Sequence, residues 1–203
     1  MTPSPIRLIG VIGAIGAGKS TASASLAKSG GRVIDADKLG HRGLELPEVK
    51  RELVHRWGER VLKEDGTIDR RAIAGIVFES EVERKALESI VYPPIGLMAE
   101  VEIAKAAADP EVRFVVLDAS MLLEAGWQRF CEKIIYVDAP QELRLTRLAD
   151  RSGWSLEEVA RREAAQLPAE KKKAFADVVV MNDGSTERLQ EQIDELVEKW
   201  ELR

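Results

Sequence analysis

The sequence predicts an α/β fold in which a parallel β-sheet is covered by helices on both faces. Three observations predict it: short apolar runs that recur along the chain, helical stretches between them, and a glycine-rich turn after the first run. Strands that are buried on both faces are almost continuously apolar, and the helices supply the crossovers between them. The runs are residues 6–11, 32–34, 114–117, 134–137 and 178–181. We therefore expect five parallel strands.

The length and the charge of the chain limit its organisation and its partners. Its 203 residues predict one core with a lid or an insertion rather than two independent domains. The 30 basic and 35 acidic residues give a formal net charge of -5, which argues against nucleic acid or an anionic membrane as a partner. An anionic ligand must then be held by a local site. We expect a monomer or a small homo-oligomer.

Two features predict the cellular compartment. The apolar run at residues 6–15 is interrupted by Gly10 and Gly13, lacks a preceding basic cluster and is far shorter than a membrane span. No signal peptide or membrane helix is therefore expected. The single cysteine, Cys131, has no partner for an internal disulfide and no metal-ligand spacing around it. The expected location is a reducing compartment, the cytoplasm.

Two long stretches without strand signals divide the predicted domain into three parts. The core comprises residues 1–38, 110–140 and 176–203. An insert lies at about 39–109 and a lid at about 141–175, and both are predicted to be helical.

Helix signals place further elements in the insert and at the end of the chain. Pro47 is well placed to start a helix. Further along, Leu87, Ile90 and Val91 are apolar residues at helical spacing. Pro93 and Pro94 are predicted to interrupt this pattern, with another helix at 95–108. An amphipathic helix that packs on the core is predicted last. Its apolar side comprises Leu189, Ile193, Leu196, Val197 and Trp200.

The glycine-rich turn after the first strand fits the phosphate-binding pattern GxxxxGK[ST]. It consists of Gly13, Ala14, Ile15, Gly16, Ala17, Gly18, Lys19 and Ser20, and a helix is predicted over 19–28. In such a P-loop, backbone N–H groups surround phosphate oxygens at the N-terminus of the helix. Lys19 would reach the β- and γ-phosphates of ATP, and the Ser20 hydroxyl would bind Mg²⁺. The alternative is a turn that only joins a strand to a helix, and the flanking elements argue against it.

Residues after later strands separate a kinase from other P-loop proteins. A GTPase would be expected to show Asn-Lys-x-Asp after a late strand, but the nearest candidate, at residues 181–184, has no lysine. Asp118 follows the third predicted strand and precedes Ala119, where many hydrolytic ATPases have a glutamate that activates water. The sequence therefore indicates an acceptor other than water.

An acidic pair follows the second predicted strand. Asp35 and Asp37 flank Ala36, and in a parallel sheet they emerge at the edge that carries the phosphate-binding loop. Asp37 would orient the hydroxyl group of an acceptor and take its proton. Alternatively, Asp37 only caps a helix that starts near Lys38. The presence of the P-loop favours the catalytic role.

Three arginines follow the fourth predicted strand. Arg144, Arg147 and Arg151 have i, i+3, i+7 spacing, which places them on one face of a helix. In a lid that closes on ATP they would offset charge on the transferring phosphoryl group. Exposed basic faces are more often only solvated, and Glu142 and Asp150 could neutralise part of this one. Opposite a nucleotide, the catalytic role is favoured.

Over nearly its whole length the sequence resembles the dephospho-CoA kinase family, and the matching motifs occur in the family's order. They are the P-loop segment 10–21, the Asp-Ala-Asp element at 33–37 with His41, the segment 65–70 ahead of Val77 and Phe78, the element from Asp118 to Glu124, the Arg-x-x-x-Gln lid element from Arg162 to Gln166, and the last strand and turn at 176–184. The resemblance implies a P-loop kinase fold, ATP and Mg²⁺ as cofactors, and phosphoryl transfer to the ribose 3′-hydroxyl of dephospho-CoA. The helical insert would hold this acceptor.

The motifs and the resemblance together give the predicted site. The predicted catalytic residues are Asp37, Lys19, Arg144 and Arg147. The predicted nucleotide contacts are the P-loop residues 13–20 with Thr21, Arg144, Arg151 and Asn182. Ser20 is the predicted ligand of Mg²⁺.

The sequence differs from the family at four positions. They are Ile12, where threonine is common, Tyr92, where histidine is usual, Ser120 in place of proline, and Arg144 in place of glutamine. A tyrosine cannot act as an acid or base near neutral pH as a histidine can. Two alternatives follow: a P-loop kinase for another small hydroxyl acceptor, such as a nucleoside or sugar acid, or a nucleotide-binding regulatory protein without transfer activity. Retention of Lys19 and Asp37 argues against the second.

Overall fold

A five-stranded parallel sheet forms the centre of the protein. The computed structural model describes residues 6–202, and within this range the strand order is β2-β3-β1-β4-β5. The strands are β1 (Leu8–Gly13), β2 (Gly31–Asp35), β3 (Phe114–Asp118), β4 (Lys133–Asp138) and β5 (Val178–Met181). The predicted fold class and the five predicted strands are confirmed, with small shifts at the strand ends.

Helices connect the strands. They are α1 (Lys19–Lys28), α2 (Ala36–Gly43), α3 (Pro47–Trp57), α4 (Arg70–Glu79), α5 (Glu81–Ala107), α6 (Gln141–Ser152), α7 (Leu156–Ala164), α8 (Ala169–Ala174) and α9 (Thr186–Lys199). α1 has its predicted bounds, and Pro47 is the first residue of α3, where a missing N–H costs nothing. Among the helices of residues 6–202, none is long and apolar enough to cross a membrane.

One face of the sheet packs against α1 and α9. Ile9 and Val11 of β1 and Phe114 of β3 are fully buried in a cluster with Leu26 and Ile193. Complete burial of side chains of this size contributes about 1.5–3 kcal/mol each, so these contacts fix both helices on the sheet. The apolar side predicted for the last helix is confirmed. Leu189, Ile193, Leu196 and Val197 are buried, and Trp200 packs partly buried against the same cluster just after α9.

Cys131 lies beside β1, so close to Gly10 that a Cβ atom there would approach its Sγ atom to 2.9 Å. It is a free thiol, and its Sγ donates a hydrogen bond of 3.7 Å to the carbonyl oxygen of Trp127. Burial raises the pKa of Cys131 to about 12, because the thiolate would be poorly solvated there.

We expect Cys131 to be unreactive towards a disulfide reagent in the folded protein. With a pKa of about 12, roughly one thiol in ten thousand is ionised at pH 8. The measurement is labelling with Ellman's reagent at that pH, with and without guanidinium chloride. The unfolded chain should react with one equivalent, since the sequence has one cysteine. Equally fast labelling of the folded protein would contradict the burial of this thiol.

The chain divides into two compact units, residues 1–35 with 102–203, and residues 36–101. The first contains the sheet. Within the second, the structure has helices and an isolated antiparallel bridge between Leu62 and Ile68. The predicted boundaries of core, insert and lid remain a prediction.

The prediction that Pro93 and Pro94 end a helix is wrong. α5 runs without interruption from Glu81 to Ala107 and contains both prolines. Its buried positions Val91, Ile95 and Ala99 follow each other at four-residue intervals across the prolines, so one packing face continues through them. Ile95 packs against Gly43 of α2, where a Cβ atom would come within 2.8 Å of it. This packing offsets the hydrogen bonds that the prolines cannot make.

Candidate phosphate-binding site

The predicted phosphate-binding loop connects the central strand β1 to α1. β1 ends at Gly13 and α1 begins at Lys19, so the N-terminus of α1 follows the loop directly. Gly18 caps α1 with φ at 90°, a left-handed conformation that favours glycine. The side chain of Ala17 is fully buried in the core and anchors the loop. This is the strand–loop–helix context that phosphate binding by backbone N–H groups requires.

Asn182 holds this loop from the end of β5. Its side chain is buried, and Nδ2 donates a hydrogen bond of 2.8 Å to the carbonyl oxygen of Ala17. The backbone N–H of Asn182 donates to Asp138 at the end of β4, at 2.7 Å. A Cβ atom at position 18 would overlap Asn182 Nδ2, a second reason for Gly18. Asn182 therefore supports the loop through its side chain, and its predicted contact with the nucleotide remains a prediction.

We expect Asn182→Ala to destabilise the protein and to weaken ATP binding. The change removes a buried hydrogen bond and leaves the Ala17 carbonyl without this donor, at a cost of about 1–3 kcal/mol. Urea unfolding and calorimetric titration with ATP measure the two effects. Asp183→Ala is the matched control, because Asp183 makes only an exposed ion pair with Arg188 and should change stability by less than about 1 kcal/mol. Equal behaviour of the two variants would contradict this role of Asn182.

Two of the three predicted lid arginines converge on the loop and its support. Arg144 Nη1 donates to the carbonyl oxygen of Ile15 at 2.9 Å and to Glu163 Oε1 at 2.6 Å. Arg147 Nη2 donates to the carbonyl oxygen of Asn182 at 3.1 Å. Arg151 is exposed at the end of α6 and, within residues 6–202, makes no ion pair. Arg144 and Arg147 therefore contact the loop and its support, and the predicted contact of Arg151 with the nucleotide remains a prediction.

The alternative in which the lid arginines are neutralised by Glu142 and Asp150 is not the arrangement found. In the described part of the chain Arg144 pairs with Glu163 of α7 instead. Arg147 Nη1 is buried and has no hydrogen-bond partner among these residues. A buried guanidinium N–H without a hydrogen-bond partner is costly. Arg147 can therefore still donate a hydrogen bond from this face of α6 to a ligand.

Asp37 lies in the first turn of α2, where a carboxylate interacts favourably with the helix dipole. α2 begins at Ala36, directly after β2, so the alternative of a cap for a helix at Lys38 is wrong. Asp37 is exposed.

At the end of β2, Asp35 is in register with Asp118 of β3, which is itself in register with Val11 of β1. The carboxyl ends of these strands therefore meet at one edge.

The lid element from Arg162 to Gln166 is not one continuous helix, because α7 ends at Ala164. Arg162 stacks on the ring of Trp154 at 4.1 Å and pairs with Glu158 at 2.6 Å. Gln166 lies in the turn after α7, where its Oε1 accepts a hydrogen bond of 2.8 Å from Lys172.

Lys172 is the site residue that the sequence did not reveal. It sits in a run of three lysines, which by itself indicates only a solvated surface. In the structure its side chain is only 3% exposed and lies 3.5 Å from Glu124. Lys172 and Gln166 line a cavity of about 450 Å³ together with Ala14, Ile15 and Arg144. The cavity therefore adjoins the first residues of the phosphate-binding loop.

The phosphate-binding loop is compatible with the predicted binding of Mg²⁺. Within residues 6–202 no group of three or more His, Cys, Asp or Glu side chains could hold a metal ion. Mg²⁺ in nucleotide sites takes most of its ligands from phosphates and water, so one hydroxyl from the protein is compatible with it. Ser20 is exposed in the first turn of α1, next to Lys19. It can supply that hydroxyl.

These features define a P-loop kinase. A phosphate-binding loop follows the central strand of a parallel sheet, and helix α6 supplies two arginines to the loop and its support. The chain belongs to the dephospho-CoA kinase family, whose sequence model matches residues 7–188.

Relatives and solved structures agree with this assignment. A dephospho-CoA kinase from Symbiobacterium thermophilum is 39% identical over 193 residues, which cover 93% of this chain and 79% of that protein. A crystal structure from Thermus thermophilus is 37% identical, covers 97% of this chain and 98% of its own, and has a TM-score of 0.82. A dephospho-CoA kinase from Campylobacter jejuni is 26% identical, with 95% and 96% covered and a TM-score of 0.65. The resemblance predicted from the motifs is confirmed.

Proposed function

We propose that this protein transfers the γ-phosphoryl group of ATP to the ribose 3′-hydroxyl of dephospho-CoA, the last step of coenzyme A synthesis. The observation that carries the proposal is the family match over residues 7–188. The intact loop supports it, since Asn182 and Arg144 hold its backbone through hydrogen bonds at two positions. A loop held in this way needs little reorganisation when phosphates bind.

The residues of the loop bind and position the nucleotide. Backbone N–H groups of residues 13–20 donate to oxygens of the β- and γ-phosphates, at the positive end of the α1 dipole. Lys19 places a positive charge beside the γ-phosphoryl group, and Arg144 and Arg147 add charge from α6. Ser20 would hold Mg²⁺, which would supply positive charge beside the phosphates.

Asp37 acts on the acceptor. Its exposed carboxylate orients the 3′-hydroxyl for in-line attack on the γ-phosphorus and accepts the hydroxyl proton. Because the transition state of phosphoryl transfer is loose, alignment accounts for much of this contribution. The hydroxyl oxygen forms the new bond to phosphorus, the bond from phosphorus to the bridging oxygen breaks, and ADP leaves.

An acceptor panel tests the proposal. ADP release from ATP and Mg²⁺ is measured with dephospho-CoA, adenosine, AMP, gluconate or shikimate, beside a blank without acceptor. Turnover confined to dephospho-CoA is expected. Turnover with another acceptor would indicate a kinase of different specificity, and ATP binding without turnover on any acceptor would indicate a regulatory protein. Either result contradicts the proposed function.

Three further expectations stand with the proposal. We propose that the protein works in the cytoplasm, as a monomer or a small homo-oligomer, and without a nucleic-acid or membrane partner. The net charge of -5 and the single cysteine support these points.

A further inference from the structure

Lys172 is a buried cation that lies among three oxygen atoms of the protein. Its Nζ donates to Gln166 Oε1 at 2.8 Å and to the carbonyl oxygen of Ser120 at 3.2 Å. Its Nζ also forms an ion pair with Glu124, at 3.5 Å from Oε1. An ammonium group has three N–H donors. Two of those of Lys172 are therefore hydrogen-bonded to protein oxygens, and the group is paired with a carboxylate.

Glu124 completes this buried cluster, and it fixes the turn that carries Gln166. Its Oε1 accepts a hydrogen bond of 2.8 Å from the backbone N–H of Leu167, the residue after Gln166. Its side chain is 11% exposed, and Oε2 has no hydrogen-bond partner within residues 6–202. Lys172 and Glu124 thus join three segments: the loop after β3, the turn after α7, and α8.

The contact with Lys172 determines which way the amide group of Gln166 points. An ammonium group only donates, so it must face the carbonyl oxygen of the amide, and the NH₂ group lies on the opposite side. In the described part of the chain this NH₂ group donates to no protein acceptor, and it is not among the buried unpartnered atoms. Gln166 lines the cavity next to Ala14 and Ile15, where its two N–H donors remain available.

We propose that Lys172 is a positioning residue, which holds Gln166 so that its amide N–H groups donate to a phosphate oxygen of ATP bound against the P-loop. Arg144 and the first loop residues line the cavity together with Gln166, and Glu163, which also lines it, is paired with Arg144 at 2.6 Å. The N–H donors of Gln166 and of the loop suit an anionic oxygen there. Lys172 acts through Gln166 and does not touch the nucleotide. The inference rests on the proposed function only in taking ATP as the ligand.

Gln166→Glu is the first test. A carboxylate at this position keeps an acceptor for Lys172 and gains an ion pair, so the folded structure is retained. The substitution also replaces the NH₂ group, which has two N–H donors, with a carboxylate oxygen that repels phosphate. Calorimetric titration with ATP and Mg²⁺ should show binding weakened by about 10-fold or more, with an unchanged or higher melting temperature. Unchanged ATP binding would overturn the proposal.

A double-mutant cycle tests whether Lys172 acts through Gln166. Lys172→Met is combined with Glu124→Gln, so that no unpaired charge is buried and the Leu167 N–H keeps an acceptor. This pair should weaken ATP binding about as much as Gln166→Ala, and the combination of all three changes should weaken it no further. Independent effects that multiply in the triple variant would overturn the proposal.

Two more variants control for the charge and the fold. Lys172→Arg keeps a donor for Gln166 Oε1 and should retain most of the ATP affinity. Lys171→Met removes the neighbouring exposed charge and should leave binding unchanged. Titration with ATP needs no acceptor, so its outcome is independent of whether dephospho-CoA is a substrate. The KM for ATP should rise in Gln166→Glu more than the KM for the acceptor, and the reverse order would contradict a phosphate contact.

Discussion

Asp37→Asn should reduce phosphoryl transfer to dephospho-CoA by at least about 100-fold and leave ATP binding unchanged. The amide is nearly isosteric with the carboxylate but cannot accept the proton of the 3′-hydroxyl at neutral pH. Asp37 is exposed in the first turn of α2, so the substitution leaves no buried group without a partner. The measurements are kcat by ADP release and the dissociation constant of ATP by calorimetry.

Glu64→Gln is the matched control for this variant. Glu64 is an exposed carboxylate in the same compact unit, outside the helices, and its neutralisation should not change kcat. Lys19→Met should give a different pattern from Asp37→Asn. Because Lys19 acts on the nucleotide, ATP binding should fall together with turnover. Full activity of Asp37→Asn would remove Asp37 from its proposed role.

Gly13→Ala should destabilise the protein by about 3 kcal/mol or more, enough to abolish soluble expression in a marginally stable domain. A Cβ atom at position 13 would overlap the carbonyl oxygen of Val137, and the backbone nitrogen and carbonyl carbon of that residue lie 3.3 Å away. These are backbone atoms of β4, so no side chain can move to relieve the overlap. β1 and β4 would have to separate where the P-loop begins.

Gly75→Ala is the matched control. It tests whether the loss of stability is specific to position 13 or follows from replacing any glycine. Gly75 lies in the middle of α4, is exposed, and a Cβ atom there meets nothing within 4 Å. This change should stabilise the protein by about 0.4–1 kcal/mol, because alanine favours the helix and restricts the unfolded chain. Urea unfolding of both variants is the measurement. A Gly13→Ala protein as stable as the wild type would contradict the close packing of β1 on β4.

The strands and the phosphate-binding loop could be predicted because their signals are local. Each strand is a short apolar run, and the loop is a fixed pattern of eight residues placed between a strand and a helix. The path of α5 could not be predicted in this way. A proline predicts a helix end because it has no backbone N–H to donate. The packing of Ile95 against Gly43, in contrast, depends on a residue that is distant in the sequence.

The supports of the site also depend on distant contacts. Asn182 and Ala17 are separated by 165 positions, and Lys172 and Ser120 by 52 positions. A lysine in a run of lysines carries no signal of burial, and only the fold places Lys172 between Glu124 and Gln166. The family resemblance named Gln166 as part of a lid element, but it did not indicate which group orients its amide.

Identification of the product tests the central claim most directly. The protein is incubated with ATP, Mg²⁺ and dephospho-CoA, and the phosphorylated acceptor is isolated and examined by mass spectrometry and by ³¹P NMR with coupling to the ribose protons. The predicted result is one new phosphomonoester, coupled to the proton on the 3′ carbon, formed in a one-to-one ratio with ADP. A phosphate at another position, or ADP without a phosphorylated acceptor, would contradict the proposed transfer.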